Sequence, residues 1–375
     1  MSTFIDIHVL QTVPPSNINR DDTGSPKSAV YGGVRRSRVS SQAWKRATRA
    51  EFAEHLDTSN LGTRTKRLVA SMVEVISSKR PDLADGAEDL AAKILKLVKI
   101  DLAKEKKEAE GEGHESPQTE YLLFVSRAQI EALAALAIEA ADGTVSKAAV
   151  QKAFTDDTSI DVALFGRMIA DAPDLNVDAC CQVAHAFSVH PAANEFDYFT
   201  AVDDKAPEDN AGAGMIGTVE FVSSTMYRYA TVNADALATS LGSVEAAATA
   251  AEAFVRAFVV SMPTGKSNTF ANRTRADLVL VHVRDDQPVN LAGAFETAIE
   301  SASGRTEQAS IRLAEHASGQ DAAYGTRPIA GAFLAAGAAA TDSALAALEK
   351  VGDRADLDGV VGLVGATILA RAEQS

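Results

Sequence analysis

The chain has 375 residues, 46% of them hydrophobic and 23% charged, with a formal net charge of −15 at pH 7. This length predicts two modules, or one domain with large insertions, in a globular protein. No apolar run approaches the roughly 20 residues of a membrane-spanning helix, and the N-terminus does not have a signal-peptide pattern. The only cysteines, Cys180 and Cys181, are neighbours, which indicates a reducing compartment. We therefore expect a cytoplasmic protein with no membrane partner.

The first predicted element is a strand. Residues 4–10 alternate, with Ile5, Ile7 and Val9 on one face, and this pattern predicts a half-buried strand. The pair Pro14-Pro15 predicts its end.

The next stretch carries concentrated positive charge. From Thr23 to Ala50 there is no acidic residue. The seven cations of this stretch are Lys27, Arg35, Arg36, Arg38, Lys45, Arg46 and Arg49. Concentrated positive charge on an acidic chain indicates a dedicated site for a polyanion. The alternative is a solvated surface, but such surfaces usually mix the two signs of charge.

Within this stretch the pattern predicts a strand or extended arm at 34–39, followed by a helix. Ser40 or Ser41 is a suitable N-cap, and the helix should run to about Leu56. One face is an apolar stripe of Trp44, Thr48, Phe52 and Leu56. Another face carries Gln42, Lys45, Arg46 and Arg49. We call these four residues the ridge, and its position beside a helix N-terminus favours phosphate binding.

The remaining chain alternates between helical and extended patterns. Residues 60–179 are mostly helical, apart from a charged low-complexity loop at 104–120. Residues 194–215 combine aromatic, acidic and small residues, as expected of an exposed hairpin, and the adjacent pair Tyr198-Phe199 is unusual there. A strand at 217–231, a helix at 244–260 and a strand at 278–283 follow.

No catalytic constellation emerges from the sequence. The Gly265-Lys266-Ser267 segment does not satisfy the Walker A pattern, because position 260 is Val where that pattern needs Gly. We interpret it as a basic loop. Neither a zinc-ligand spacing nor a nucleophile-elbow motif is present. We therefore expect no enzymatic activity, no metal and no cofactor.

Several motifs resemble one known family. They are FIDIHVLQTVPPSNINRDD at 4–22, AVYGGVRRSRVSSQAWKRATR at 29–49, DVALFGRM at 161–168, AHAFSVHP at 184–191, DYFTAVDD at 197–204 and FVSSTMYRYATVN at 221–233. This series resembles the backbone subunit of the type I-E CRISPR Cascade surveillance complex, the CasC family. The resemblance is specific to about Asn233 and looser from there to the C-terminus.

The resemblance implies an α+β fold. Its parts would be an RRM-like (ferredoxin-like) palm, a large, mainly helical fingers insertion and a thumb hairpin. The boundaries are 1–58 for the first part of the palm, 59–179 for the fingers, 180–192 for the palm again, 193–215 for the thumb and 216–375 for the remaining palm.

The resemblance also implies a function. Copies of the chain would form a helical filament along CRISPR RNA, with other Cascade subunits, and present the guide to a target DNA strand in antiviral defence. The residues expected to contact RNA are Arg20, Lys27, Arg38, Ser40, Gln42, Lys45, Arg46, Arg49, Met168, Tyr198, Phe199, Thr200 and Lys266. The cations would bind phosphates. The aromatic pair of the thumb would replace base stacking, and Met168 is included on the resemblance alone.

The alternative is a standalone RNA-binding or RNA-processing protein with an RRM-like palm. An RNA-cleaving relative should show a His or Tyr general base in a basic loop. His8 is the only candidate near the basic stretch.

Overall fold

The structure is a computed structural model of a mixed α and β protein. It describes residues 2–103, 116–201, 215–301 and 303–374. The chain forms two compact units. Unit 1 consists of residues 1–51, 182–234 and 251–375, and unit 2 consists of residues 52–181 and 235–250. The predicted loop at 104–120 and the predicted thumb at 193–215 lie partly outside the described residues.

Twelve strands lie in the described part of the chain. They are β1 (Phe4–Ser16), β2 (Ser28–Tyr31), β3 (Val34–Val39), β4 (Gly62–Thr65), β5 (Leu123–Ser126), β6 (Cys181–Val183), β7 (Ala186–Ser188), β8 (Glu195–Ala201), β9 (Met215–Asn233), β10 (Leu278–Arg284), β11 (Ala330–Ala335) and β12 (Asp353–Arg354). Ten form one sheet in the order β12-β11-β10-β1-β9-β7-β3-β2, with β6 and β8 also paired to β9. The other two, β4 and β5, pair with each other.

The same residues form twelve α-helices. They are α1 (Ser41–Glu51), α2 (Leu68–Lys79), α3 (Ala87–Leu97), α4 (Arg127–Asp142), α5 (Lys147–Thr155), α6 (Ile160–Phe165), α7 (Ala234–Leu241), α8 (Val244–Val260), α9 (Ser267–Phe270), α10 (Arg305–Tyr324), α11 (Asp342–Leu348) and α12 (Leu357–Ala372). None of them is both long and apolar enough to cross a bilayer.

Strand β1 lies in the middle of the large sheet. It pairs antiparallel with β9 on one side and β10 on the other. The prediction of a half-buried strand is wrong, because Asp6 and His8 on the second face are buried as well. The strand also continues past the two prolines to Ser16, through a register shift after Val13. A bulge of this kind tolerates residues that cannot donate to the ladder.

Each unit has its own apolar core. In unit 1, Leu10, Leu280 and Phe333 from the sheet pack with Leu313 of α10 in one buried cluster. In unit 2, a separate cluster joins α2, α3, α4 and α5 with β5, and Phe154 is one of its fully buried members. The capping box at the start of α4, formed by Ser126 and Gln129, satisfies two backbone donors there.

Candidate nucleic-acid interface

The N-terminus of α1 is fastened to the loop that precedes β2. The Asn19 side chain accepts a hydrogen bond from the backbone N–H of Ser40 at 2.8 Å. The Asn19 carbonyl accepts one from the backbone N–H of Lys27 at 2.9 Å, and the Lys27 carbonyl accepts one from the backbone N–H of Arg38 at 2.9 Å. These bonds bring Lys27, Arg38 and the start of α1 together in unit 1.

His185 completes this arrangement. Its Nδ1 atom is 3.2 Å from the Arg38 guanidinium and 3.3 Å from the backbone nitrogen of Ser41. Two donors therefore converge on one nitrogen, which must carry a lone pair. Partial desolvation and the charges of Arg38 and Lys27 lower the pKa of His185. The neutral ring thus contacts Arg38 without placing a second positive charge beside it.

Helix α1 presents the predicted ridge. Trp44 and Thr48 are buried, while Gln42 and Arg46 are exposed and Lys45 and Arg49 are half-buried. The helix ends at Glu51, so the prediction of about Leu56 is too long, and a 3₁₀ turn follows at Phe52–Glu54. The separation of apolar and cationic faces follows from the helical period.

Some of the backbone N–H groups at the N-terminus of α1 already have hydrogen-bond acceptors. Ser40 is buried, and its hydroxyl oxygen accepts from the backbone N–H of Ala43 at 3.3 Å, as an N-cap does. The N–H of Ser41 is taken by His185. The backbone N–H groups of Ser41 and Ala43 are therefore not free to bind an anion.

One cation of the acid-free stretch is not at the surface. Arg36 is fully buried, and its guanidinium donates to the carbonyls of Ser188, Phe295 and Glu296 at 2.9 to 3.2 Å. Burial lowers its pKa. Arg36 therefore fixes the hairpin of β2 and β3 in place, and it is not available to a ligand.

The loop containing Lys266 lies against the segment before Arg20. A Cβ atom on Gly265 would come 2.3 Å from the carbonyl oxygen of Ile18, so only glycine permits this approach. Lys266 itself has a left-handed backbone and precedes α9. Arg20 is exposed and forms a β-bridge with Pro26. The predicted cations Arg20, Lys27 and Lys266 thus belong to connected loops of unit 1.

The cations of this surface are available to an anion. In the described parts of the chain, Arg20, Lys27, Lys45, Arg46 and Lys266 form no salt bridge with an acidic side chain, whereas Arg273 lies 3.8 Å from Glu51. We call these five cations and Arg38 the basic surface.

The predicted thumb aromatics lie in a paired strand. Tyr198 is opposite Thr218, Phe199 is opposite Gly217, and Thr200 is opposite Ile216. Tyr198 is exposed, whereas the Phe199 ring lies over Gly217. Neighbouring residues of a strand point to opposite faces, so the two aromatics do not form one stacking platform.

Met168 belongs to unit 2 and is 82% exposed. The preceding Arg167 is buried and donates to the carbonyls of Phe124, Phe154 and Leu175. Burial lowers the pKa of Arg167 to about 10. This anchored arginine holds the Met168 side chain at the surface of its unit.

The candidate general base His8 is buried and lies 3.0 Å from the Tyr227 hydroxyl. It is therefore not available to a substrate. Among the residues that the structure describes, no group of three or more His, Cys, Asp or Glu side chains is arranged to hold a metal ion.

The sequence-based reasoning missed two residues of this interface, Asn19 and His185. Asn19 occurs within a motif that resembles the family, but its bonds to Ser40 and Lys27 depend on loop geometry. His185 occurs within the motif at 184–191, and it meets Arg38 across 147 residues of chain. A pattern of local spacing contains no signal for either contact.

Comparison with known proteins places the chain in a family. No curated protein matches it. It is similar to a chain of the structure "CRISPR RNA-guided surveillance complex, pre-nicking", with 38% identity, coverage of 98% of this chain and 99% of the other, and a TM-score of 0.84. For a chain of a "CRISPR RNA-guided surveillance complex", the identity is 33%, the coverage is 98% and 99%, and the TM-score is 0.73. A family model matches residues 5–361, and the chain therefore belongs to the CT1975-like protein family.

Proposed function

We propose that the chain is the CRISPR RNA-binding backbone subunit of a type I-E Cascade surveillance complex, as in the CasC family. It binds the guide through the sugar-phosphate, without reading sequence, and presents bases to a target DNA strand. Sequence specificity then lies in base pairing. The basic surface, on a chain with net charge −15, is the observation that carries this proposal.

The similarity to chains of surveillance complexes supports the same assignment, because it extends over nearly the whole of both chains. The proposed partners are CRISPR RNA, the target strand, further copies of this chain and other Cascade subunits. The proposed location is the cytoplasm.

The strand order supports an RRM-like palm. The segment β10-β1-β9-β7 of the sheet, with α1 following β1 and α8 following β9, has the strand and helix order of a split ferredoxin-like unit. In this proposal, the helices of unit 2 supply the fingers and the hairpin of β8 and β9 supplies the thumb.

The proposed contacts divide by chemistry. The cations Arg20, Lys27, Arg38, Lys45, Arg46, Arg49 and Lys266 bind phosphates, while Ser40 and Gln42 hold the RNA backbone at the start of α1. Met168, Tyr198 and Thr200 meet bases, whereas Phe199, which lies over Gly217 on the opposite face of the hairpin, supports the hairpin instead. In this proposal, the subunit binds RNA and leaves cleavage to other proteins.

The test is a titration of the full chain with single-stranded RNAs of several sequences at increasing salt. We expect similar affinities for all sequences, a steep loss of affinity with salt and intact RNA at the end. Sequence-selective binding, or cleavage of a precursor RNA, would instead favour the standalone RNA-processing alternative.

A further inference from the structure

The side chain of Glu220, on β9, lies between two parts of unit 1. One carboxylate oxygen accepts from the Ser25 hydroxyl at 2.8 Å, and the other accepts from the Asn194 side-chain amide at 2.7 Å. The Glu220 carbonyl also accepts from the Asn17 side-chain amide at 3.0 Å. All three donors are neutral. The carboxylate is therefore held by position-specific hydrogen bonds rather than by a cation.

These bonds connect the hairpin to the basic surface. Ser25 and Asn17 belong to the loop that carries Arg20 and leads into Lys27, and Asn17 also donates to Gly24 in that loop at 3.0 Å. Asn194 immediately precedes β8. Glu220 thus ties the base of the hairpin to the cation-bearing loop.

The hairpin of β8 and β9, which extends from these hydrogen bonds, has two chemically different faces. Residues directly opposite in an antiparallel pair share a face. Phe196 is opposite Glu220, and Thr200 is opposite Ile216. The side chains of Phe196, Tyr198 and Ile216 are 67%, 62% and 61% exposed. We call these three residues the aromatic face.

The other face of β8 is acidic. Alternation along the strand places Glu195 and Asp197 there, together with Phe199. Among the described residues that share a face with Phe196 and Tyr198, the one acid is Glu220, and each of its carboxylate oxygens accepts a hydrogen bond. A polyanion on the aromatic face would therefore have Glu220, and not the two β8 carboxylates, on its own side of the hairpin.

We propose that Glu220 is a positioning residue, and that it aligns the aromatic face with the basic surface so that both act on one strand of RNA. The phosphates contact Arg20 and Lys27, and the bases of the same strand stack on Phe196 and Tyr198. This inference rests on the proposed RNA-binding function, and it adds Phe196 and Ile216 to the residues that meet bases.

The direction in which RNA affinity changes when Glu220 is removed distinguishes this positioning role from a purely electrostatic one. Removing a negative charge beside cations should strengthen phosphate binding if charge alone matters. Loss of alignment should weaken RNA binding instead. Asp197 offers a matched control, because Asp197→Asn removes one charge from the same hairpin on the opposite face.

The experiment uses the full chain and single-stranded RNA with 2-aminopurine at one position at a time, since stacking on an aromatic ring quenches this base. We expect quenching at some positions. Phe196→Ala with Tyr198→Ala should abolish the quenching and weaken RNA affinity about tenfold, with an unchanged salt slope, because stacking is lost and phosphate contacts are kept. Glu220→Ala should likewise lose the quenching and weaken affinity several-fold. Glu220→Gln, which keeps one acceptor, should recover part of both.

Asp197→Asn should keep the quenching and bind as tightly as the unmodified chain or more tightly. If Glu220→Ala behaves like Asp197→Asn, the positioning role is overturned. If Glu220→Ala does not fold, Ser25→Ala with Asn194→Ala tests the same tie from the donor side, with the same expected losses. Salt-dependent binding without any quenching at Phe196 and Tyr198 overturns this inference alone, whereas absence of RNA binding overturns the proposed function.

Discussion

Arg36 and Lys45 come from the same acid-free stretch, yet the first is fully buried and the second reaches the surface. Four backbone carbonyls, those of Tyr31, Ser188, Phe295 and Glu296, accept from the Arg36 guanidinium. Loss of the hydrogen bonds to a buried charge carries a large cost in free energy. The charge of Arg36 thus serves the fold, while the charge of Lys45 is available to a ligand.

At the ridge, Lys45→Gln with Arg46→Gln should weaken RNA binding about equally for all sequences. Each lost phosphate contact should reduce the slope of log affinity against log salt by about 0.7 for single strands. Filter binding or fluorescence anisotropy at several salt concentrations measures both quantities. An unchanged slope in a folded variant would remove the ridge from the site.

The buried imidazole of His282 predicts a pH dependence of stability. Burial lowers its pKa to about 4 from the ordinary 6.5. The unfolded chain therefore takes up this proton near pH 6.5 and the folded chain only near pH 4, so the free energy of unfolding falls as the pH decreases through this range. The full effect is roughly 3 kcal/mol.

His282→Gln should remove this contribution, so urea titrations at pH 7 and pH 5 should show a smaller loss for the variant than for the unmodified chain. Asp6 acts in the opposite sense, because burial raises its pKa to about 6. It still titrates in the variant, so the comparison isolates the histidine. Parallel losses in the two proteins would contradict this account.

The residues of the site were predictable only where the signal is local. The helical period separates Trp44 and Thr48 from the ridge, and the structure has the same separation. The burial of Arg36 depends on Ser188 and Phe295, which are 152 and 259 residues away in the chain. No pattern within the basic stretch could distinguish that arginine from its exposed neighbours.

At the scale of elements, the conformation of the loop before α9 requires the backbone of Gly265 to lie close to the backbone of Ile18. Gly265→Ala would place a methyl group against the Ile18 carbonyl, at a cost of about 1–3 kcal/mol. We expect a lower melting temperature and weaker RNA binding, since Lys266 and the loop of Arg20 would move apart. The matched control is Gly362→Ala on α12, where an added Cβ atom would meet no other part of the chain within 4 Å.

Gly362→Ala should stabilise the protein by about 0.5–1 kcal/mol, because glycine is unfavourable inside a helix. Thermal melting of the two variants side by side gives the comparison. Equal melting temperatures would mean that the Gly265 loop does not pack against Ile18.

The hairpin of β8 and β9 predicts different costs for its two adjacent aromatics. Phe199→Ala uncovers Gly217, whereas Tyr198→Ala removes a side chain that is already exposed. The first change should lower the melting temperature more than the second. A larger loss for Tyr198→Ala would mean that its ring, and not that of Phe199, packs in the hairpin.

At the scale of the whole molecule, the central position of β1 is the feature that the sequence predicted least well. Alternation in residues 4–10 predicts a strand but gives no information about which strands pair with it. Its two partners, β9 and β10, come from more than 200 residues further along the chain. The order of elements could nevertheless be derived, because the helical insertion and the later strands have distinct periodicities.

The proposed function also requires a particular mode of assembly. A protein that follows a polymer without reading its sequence must present the same surface at each step. Identical subunits related by a rotation and a rise make head-to-tail contacts, which extend into an open helix. The net charge of −15 should keep RNA-free subunits apart, and bound phosphates would join them through the basic surface.

The most direct test of this account is native mass spectrometry of the chain on single-stranded RNAs of increasing length. The account predicts dispersed subunits without RNA and a copy number that rises in steps with RNA length. A closed dimer or ring of fixed size, the same on every RNA, would contradict it.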